Sequence, residues 1–253
     1  MKVVSLNTWG GKAGTEGILT FLKKYGDVDV FCLQEIFNGG EEFRGMPAAR
    51  FALDTFDPRL LERIAEALPN HIYHFKPHFE EVFGLALFVR KDHAIETEGE
   101  VSIYRHKGYY SADNIGDQHR IMQYASLADP ACTVMNVHGL WNGQGKRDSD
   151  HRLAQSDNIL AYTNALTQPY VLLGDFNLRP ETESIRKLEA AGMRNLVTEY
   201  GIVSTRTSLY DSLAEEPHAD YAFVSEGIDV KDFKVLPDEI SDHAALYLEF
   251  DLP

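Results

Sequence analysis

Short apolar runs alternate with polar segments along the 253 residues of the chain, and most runs have the length of a strand. "KVVSLNT" (2–8) and "VDVFCLQE" (28–35) are mainly apolar and end in a polar residue, which is typical of buried strands. Comparable runs predict further strands at 71–77, 83–91, 94–104, 120–127, 132–139, 218–225, 228–236 and 244–252, and in the run from residue 170 into "GDFN".

Four other segments carry apolar residues at helical spacing. They are 15–26, which ends in the helix-stopping Gly26, and 58–68, 148–166 and 181–191. Strands outnumber helices, and the predicted helices fall between strands. Without repeats or linkers, this order indicates stacked sheets with helices outside, in one domain over residues 1–253.

Two long segments, 37–57 and 106–118, show little periodicity. Connections of this length are often functional, so we expect these loops to influence specificity. The first contains the acids Glu41, Glu42 and Asp54, which would repel a long polyanion if they lay near a binding site.

Charge and composition restrict the classes of function. The net charge is −15, from 24 Lys and Arg against 39 Asp and Glu, which argues against binding long duplex nucleic acid mainly through its phosphates. An acidic metalloenzyme still handles phosphates, because a bound cation supplies local positive charge. Cys32 and Cys132 lie in apolar runs, which predicts that both are buried and that the protein is in a reducing compartment. No signal-peptide or transmembrane pattern is present, so we expect a soluble, cytoplasmic protein.

Polar residues accumulate where the predicted strands end or begin. They are Asn7, Glu35, His138, Asp175, Asn177, Asp220, Asp242 and His243. Each alone has a plainer interpretation as a turn residue, a cap or a core histidine. Asp175 and Asn177 are less usual, because two such side chains directly follow five largely apolar residues. Their spacing of two lets both side chains leave the same side of an extended chain. Together these residues predict a metal and acid–base site at one rim of the sheets.

The segments "SLNTWG", "CLQE", "NVHG", "LLGDFN", "ADYAFVS" and "ISDHAAL" carry a resemblance that spans residues 5 to 246. In this order they resemble the endonuclease/exonuclease/phosphatase family, the deoxyribonuclease I-like metal-dependent phosphoesterases. The resemblance implies an α/β (α+β) four-layer sandwich. In such a fold, two mainly antiparallel β-sheets pack face to face, are flanked by helices, and carry the site at one rim.

The resemblance also implies roles for the polar residues, with Mg²⁺ or Mn²⁺ as cofactor. Glu35 is the main candidate metal ligand, helped by Asn7 and Asp242, because hard cations prefer oxygen ligands. His243 fits a general base that activates water, with Asp220 orienting its ring. Further roles concern the water and the phosphate: Asp175 positions the water, Asn177 binds a phosphoryl oxygen, and His138 contacts the phosphate or aids leaving-group departure.

The sequence indicates the substrate less clearly than it indicates the catalytic and metal-binding residues. Lys146, Arg147, His151 and Arg152 form either a basic patch for phosphate or a solvated loop and helix start. Arg152 and Tyr110 are the candidate substrate-binding residues. The aromatic residues Trp9, Tyr109, Tyr110 and Trp141 either stack on a base or close the edge of the core. Residues 205–217 lack the Trp- and Arg-rich segment expected of a family member that repairs abasic DNA.

The leading hypothesis is a divalent-metal-dependent phosphodiesterase or nuclease acting on nucleic acid or nucleotide diesters. The net negative charge of the protein favours small, single-stranded or end-bound substrates over long duplex nucleic acid. The alternative substrate class is phospholipid or inositol phosphate headgroups. Two further hypotheses are a catalytically silent phosphate-binding protein on the same fold, and a structural domain with coincidental motifs. The sequence does not indicate the oligomeric state.

Overall fold

The computed structural model describes residues 1–43, 55–111 and 116–252. These residues form two six-stranded sheets. In spatial order, the first sheet contains β11 (Asp229–Val235), β12 (Leu246–Asp251), β1 (Lys2–Asn7), β2 (Val30–Phe37), β4 (Phe83–Arg90) and β3 (His71–Phe79). The second contains β5 (Ile95–Tyr104), β6 (Arg120–Ala128), β7 (Ala131–His138), β8 (Tyr170–Asp175), β10 (Asp220–Val224) and β9 (Arg194–Asn195).

Each sheet is mainly antiparallel with one parallel pair at its centre. The parallel pairs are β1 with β2 in the first sheet and β7 with β8 in the second. Parallel neighbours end at the same edge of a sheet. The two central pairs therefore bring four carboxyl-terminal strand ends together, and the polar residues that follow the strands are collected there.

Helices cover the outer faces of the sheets. They are α1 (Thr15–Lys24), α2 (Leu60–Ala67), α3 (Asp150–Thr163), α4 (Glu183–Ala190) and α5 (Leu196–Glu199), with short 3₁₀ turns at Trp9–Gly11 and Glu41–Phe43. Ile18 of α1 and Ile64 of α2 pack with Phe31 of the first sheet. Ile159 of α3 and Ile185 of α4 belong to the core of the second sheet. The predicted four-layer sandwich is confirmed.

The core between the sheets explains the continuous apolar runs. Successive residues of β1 face different layers: Val3 belongs to the inter-sheet core, whereas Val4 packs toward α1 and α2. A strand covered on both faces must be apolar at every position. Cys32 and Cys132 are buried and free, as the sequence indicated.

The fold differs from the sequence prediction in two details. β9 and α5 were missed, although Asn195 caps α5 by accepting hydrogen bonds from the N–H groups of Val197 and Thr198. Within the long irregular segments, residues 44–54 (with Asp54) and 112–115 lie outside the described residues. Glu41 and Glu42 are exposed. In the described part of the chain, no helix is long and apolar enough to cross a membrane.

Candidate active site

The strand ends place the polar residues at one rim. Asn7 ends β1, His138 ends β7 and Asp175 ends β8. Asp175 lies directly beside His138 on one side and beside Asp220, the first residue of β10, on the other. The sheet register thus brings together residues that are far apart in the sequence.

Glu35 reaches the rim through an irregularity in β2. The pairing of β2 with β4 shifts between Leu33 and Ile36, and Glu35 has a φ of 57°. A non-glycine residue in this left-handed region costs on the order of 1 kcal/mol or more, and such bulges recur next to active sites because they re-aim a side chain. The bulge turns the Glu35 carboxylate toward the other rim residues.

A cavity of about 290 Å³ opens at this rim. Six of the predicted site residues line it: Glu35, His138, Asp175, Asn177, Asp242 and His243. The remaining two lie directly behind, since Asn7 hydrogen-bonds to Glu35 and Asp220 hydrogen-bonds to His243. All eight residues are therefore brought together by the fold.

Asn7 links two carboxylates of the cavity. Its Nδ2 donates to Glu35 Oε1 at 3.1 Å and to Asp175 Oδ2 at 3.0 Å. Its Oδ1 accepts from the backbone N–H of Trp9 at 3.0 Å, which fixes the orientation of the amide. Asn7 thus holds the acidic side chains in place.

Three carboxylates, those of Glu35, Asp175 and Asp242, line the cavity. The pKa of Glu35 is raised to about 7, first by burial and then by the carboxylates of Asp242 and Asp175, against the opposing effect of the Asn7 hydrogen bond. Clustered carboxylate and amide oxygens suit a hard divalent cation, which would relieve this repulsion. The residues present therefore fit a hard divalent cation at Glu35 and its neighbours.

A second grouping, Asp175, Asp220 and His243, also offers three ligand atoms within 4.8 Å of one another. Its hydrogen bonding makes it a poorer cation site. Asp220 is already engaged with His243 Nδ1, and Asp175 Oδ2, 3.6 Å from His243 Nε2, already accepts a hydrogen bond from Asn7 Nδ2. Of the two groupings, the Glu35 side fits a cation better.

His243 and Asp220 form a buried pair. His243 Nδ1 lies 2.9 and 3.0 Å from the two Asp220 oxygens. Burial is the main influence on both, raising the pKa of Asp220 and lowering the pKa of His243, and Arg206 further lowers that of His243. At neutral pH the imidazole is therefore neutral. With Nδ1–H donating to Asp220, Nε2 is a free proton acceptor beside Asp175.

The "GDFN" segment is a turn rather than an extended chain. Asn177 has a φ of 53°, its backbone N–H donates to Asp175 Oδ1 at 2.8 Å, and its Nδ2 lies 3.3 Å from Asp175 Oδ2. The two side chains do meet, but through this turn, so the extended-chain reasoning was wrong. The turn leaves Asn177 lining the cavity.

His138 lies deeper in the site. Its Nε2 is 3.9 Å from both Glu35 Oε1 and Asp175 Oδ2, and its ring meets that of His78 edge-on at 5.6 Å. Burial, followed by the nearby Arg120, holds the pKa of His138 well below its usual range. His138 is therefore neutral and faces the carboxylates as a hydrogen-bonding group.

Sequence reasoning missed two arginines of the cavity. Arg120 is only 1% exposed, and its Nε and Nη1 have no hydrogen-bond partner among the described residues. Burial lowers its pKa to about 10, opposed by Glu35 and Asp175, so it stays charged. Arg206 Nη1 donates to Asp242 Oδ2 at 2.8 Å. The one available signal was a charged residue opening the otherwise apolar run "RIMQYASL".

The two candidate substrate-binding residues lie outside this cavity. The Arg152 guanidinium is buried and donates to the carbonyl oxygens of Leu140, Gly145 and Arg147, so it holds the loop after β7. Tyr110 is exposed and lines a neighbouring cavity of about 270 Å³. Neither placement supports direct contact with a phosphate in the cavity.

The four basic residues do not form one patch: Arg147 and His151 are exposed on the loop and at the helix start, whereas Lys146 and Arg152 are buried. Lys146 is buried, donates to the carbonyl oxygen of His218 at 3.1 Å, and has its pKa lowered to about 8, mainly by burial. The positive charge nearest the cavity comes instead from the lining residues Lys12, Arg120 and Arg206.

Comparison with known proteins agrees with this geometry. The family model described as "Endonuclease/Exonuclease/phosphatase family" matches residues 4–243. Among solved structures, the chain is similar to Bacteroides thetaiotaomicron mannosyl-6-phosphatase Bt3783, with 19% identity, TM-score 0.74 and complete coverage of both chains. It is also similar to D. rerio TDP2 humanised by 14 mutations, with 13% identity, TM-score 0.70 and coverage of 99% of this chain and 98% of that one.

A third similar structure is the human Nocturnin catalytic domain with bound sulfate, with 19% identity, TM-score 0.62 and coverage of 100% of this chain and 93% of that one. These likenesses show a shared fold. No curated protein sequence matches the chain. Because the family model covers nearly the whole chain, the chain belongs to the endonuclease/exonuclease/phosphatase family and is a metal-dependent phosphoester hydrolase.

Proposed function

We propose that this member of the endonuclease/exonuclease/phosphatase family is a Mg²⁺- or Mn²⁺-dependent phosphodiesterase that acts on nucleotide or nucleic acid diesters. The observation that carries the proposal is the His243–Asp220 pair, whose free Nε2 faces Asp175 across 3.6 Å at the wall of an acidic cavity. A water molecule held between these two groups would meet both a proton acceptor and a positioning carboxylate.

In the proposed reaction, a water oxygen attacks phosphorus in line with the leaving oxygen. His243 Nε2 accepts the proton of the water as the new P–O bond forms and the bond to the leaving oxygen breaks. Asp220 keeps the His243 ring oriented and stabilises the imidazolium that results. Asp175 positions the water. A divalent ion bound at Glu35, with Asn7 and Asp242 close by, would supply neutralisation of the phosphate and of the departing oxygen.

Three groups would bind the phosphoryl oxygens. Asn177 offers an amide N–H from the turn after β8, and Arg120 offers two N–H-bearing nitrogens that no described residue uses. His138 would contact the phosphate from below as a neutral donor. Fixed donors in a buried site stabilise developing charge better than water does, because they need no reorganisation.

Nucleotide diesters are favoured over lipid headgroups by the cavity itself. Its lining combines the cations Lys12, Arg120 and Arg206 with aromatic side chains. The net charge of −15 favours short or single-stranded substrates over long duplex DNA.

A substrate panel tests the proposal. Purified protein would be assayed with Mg²⁺, Mn²⁺ or chelator on dinucleotides, single- and double-stranded DNA, RNA, and glycerophospho-headgroup diesters. We expect metal-dependent cleavage of dinucleotides or short single strands, lost in His243→Ala and Glu35→Ala. Preference for headgroup diesters would show that the substrates are lipid headgroups rather than nucleotides. Normal metal-dependent turnover in both variants would overturn the proposed site.

A further inference from the structure

Aromatic side chains line the cavity in addition to its carboxylates. Six of its sixteen lining residues are aromatic: Trp9, Phe37, Phe56, Phe83, Trp141 and Tyr210. The chain has only two tryptophans, and both line this cavity. Catalysis at phosphorus requires charged and polar groups but no indoles, so the proposed hydrolysis leaves this wall unexplained.

The aromatic wall is built from separate parts of the chain and is held rigidly. Phe37 packs against Phe56 at 4.1 Å and against Phe83 at 4.8 Å between ring centroids, in a cluster distinct from the two main cores. Trp9 follows β1 with a φ of 50°, and its backbone N–H is bound by Asn7. The wall therefore lies beside the same amide that holds Glu35 and Asp175.

Trp141 lies on the side of the second sheet, in the loop after β7. A Cβ at Gly116 would lie 2.9 Å from the Trp141 ring, so the indole rests against a residue that has no side chain. Trp141 nevertheless remains 38% exposed. A rigid, partly exposed aromatic ring at a cavity is a low-entropy surface for stacking.

The charges around the wall decide between a neutral ring and a cation. The face of Trp9 carries Lys12 Nζ at 4.3 Å, and the face of Tyr210 carries the Arg206 guanidinium at 4.0 Å and Lys146 Nζ at 4.9 Å. These three cations would repel a quaternary ammonium such as choline. These positions instead suit an anionic phosphate next to an uncharged ring.

We propose that Trp9 and Trp141 form a subsite for a planar, uncharged ring, so that the substrates are phosphoesters that carry an aromatic ring, attached to the phosphate either directly or through a sugar. This subsite rests on the proposed phosphodiesterase function and narrows its substrate class. The ring is either a nucleobase or an aryl group, since both offer the same stacking face. A cavity of about 290 Å³ suits one small ligand unit.

Phosphonates provide a direct test, because they cannot be hydrolysed at the P–C bond and differ only in the attached group. Methyl-, hexyl- and phenylphosphonate would be titrated in the presence of Mg²⁺ while tryptophan fluorescence is recorded. Phosphocholine and adenosine monophosphate, which are phosphate monoesters, would be titrated in the same way, with phosphate release followed to confirm that they stay intact. Both indoles line the cavity, so the entire tryptophan signal reports on it. Calorimetry would supply the dissociation constants independently.

We expect phenylphosphonate to bind roughly tenfold more tightly than methylphosphonate, with a change in fluorescence. If adenosine monophosphate shares the gain, the source is a nucleobase, and if it does not, the source is an aryl group. Trp141→Leu should bring the phenyl-to-methyl affinity ratio toward one, whereas Trp141→Phe should preserve most of it. Tyr200→Leu, which removes an exposed ring outside the cavity lining, is the matched control and should keep the full ratio.

Equal affinities for phenyl- and methylphosphonate would overturn the subsite, as would hexylphosphonate or phosphocholine binding as tightly as phenylphosphonate. Hydrolysis of bis(4-nitrophenyl) phosphate distinguishes failure of the ring subsite from failure of the proposed phosphodiesterase function. Metal-dependent hydrolysis without a ring preference removes only the subsite. Absence of both phosphonate binding and hydrolysis removes the proposed function as well.

Discussion

Two histidine–aspartate pairs lie at opposite ends of the sandwich. His243 and Asp220 meet at the rim where β1 and β2 end, 2.9 Å apart at their nearest atoms. His93 and Asp29 meet at the other end, where β2 begins, with Nε2 2.7 Å from Oδ1. The two pairs have the same residue types and similar distances, and we propose different roles for them because their surroundings differ.

The difference lies in how many partners each pair has. Asp29 also accepts the backbone N–H of Lys2 at 2.6 Å and pairs with Arg90 Nη2 at 2.8 Å, so its charge is fully used in joining β1, β2 and β4. Asp220 receives the ring of His243, whose second nitrogen faces the cavity. A histidine is available for proton transfer when its carboxylate orients one nitrogen and nothing occupies the other.

The largest expected effect comes from removing the histidine of each pair. His243→Ala should lower kcat on a phosphodiester by roughly 10²–10⁴-fold, because the proposed general base is lost. The matched control, His93→Ala, should keep kcat and lose about 1–2 kcal/mol of unfolding free energy. Steady-state kinetics and urea unfolding of both variants check this, and a similar loss of kcat in the two would erase the distinction.

A smaller effect is expected from changing the aspartates. Asp220→Asn keeps the shape of the side chain but no longer stabilises the imidazolium, so kcat should fall on the order of 10²-fold while substrate KM changes little. Asp29→Asn should instead reduce the unfolding free energy by about 1–3 kcal/mol, because Arg90 loses one of its two charged partners, Asp29 and Asp92. Unchanged kcat in Asp220→Asn would mean that His243 needs no orienting carboxylate.

The smallest expected effect concerns pH. Because burial and neighbouring carboxylates raise the pKa of Glu35 to about 7 in the metal-free protein, a cation must displace a proton at lower pH. Mn²⁺ affinity should be highest above pH 7 and fall roughly tenfold for each pH unit below it. Calorimetric titration between pH 5.5 and 8 measures this dependence. A flat profile would show that Glu35 does not compete with protons for the ion, and Glu35→Gln should remove the dependence.

Much of this rim was predictable because strand ends are visible in the sequence. Apolar runs locate the buried strands, and a polar residue such as Asn7 or Asp175 directly after a run marks the edge of a sheet. The order of the motifs then supplied the remaining partners through the family resemblance. The pairing of Asp220 with His243 is one such case. The two residues lie 23 positions apart, so no local pattern connects them.

The remainder depends on contacts that no local pattern records. Arg120 reads as an ordinary strand start, and only the sheet register places it among the carboxylates. The left-handed φ of Glu35 and of Asn177 belongs to a bulge and a turn that hydrophobic periodicity does not reveal. Arg152 was misplaced because a basic residue near a motif looks exposed, whereas the loop carbonyls bury it.

The most direct test of the central claim is the hydrolysis of bis(4-nitrophenyl) phosphate as the divalent ion is removed and restored. Wild type, His243→Ala and His93→Ala would be treated with chelator, dialysed and titrated with Mn²⁺ or Mg²⁺. We expect wild type and His93→Ala to lose turnover when the metal is removed and to regain it on titration, while His243→Ala stays inactive at every metal concentration. Turnover that survives chelation, or a His243→Ala variant that recovers like wild type, would contradict a metal-dependent site built on His243.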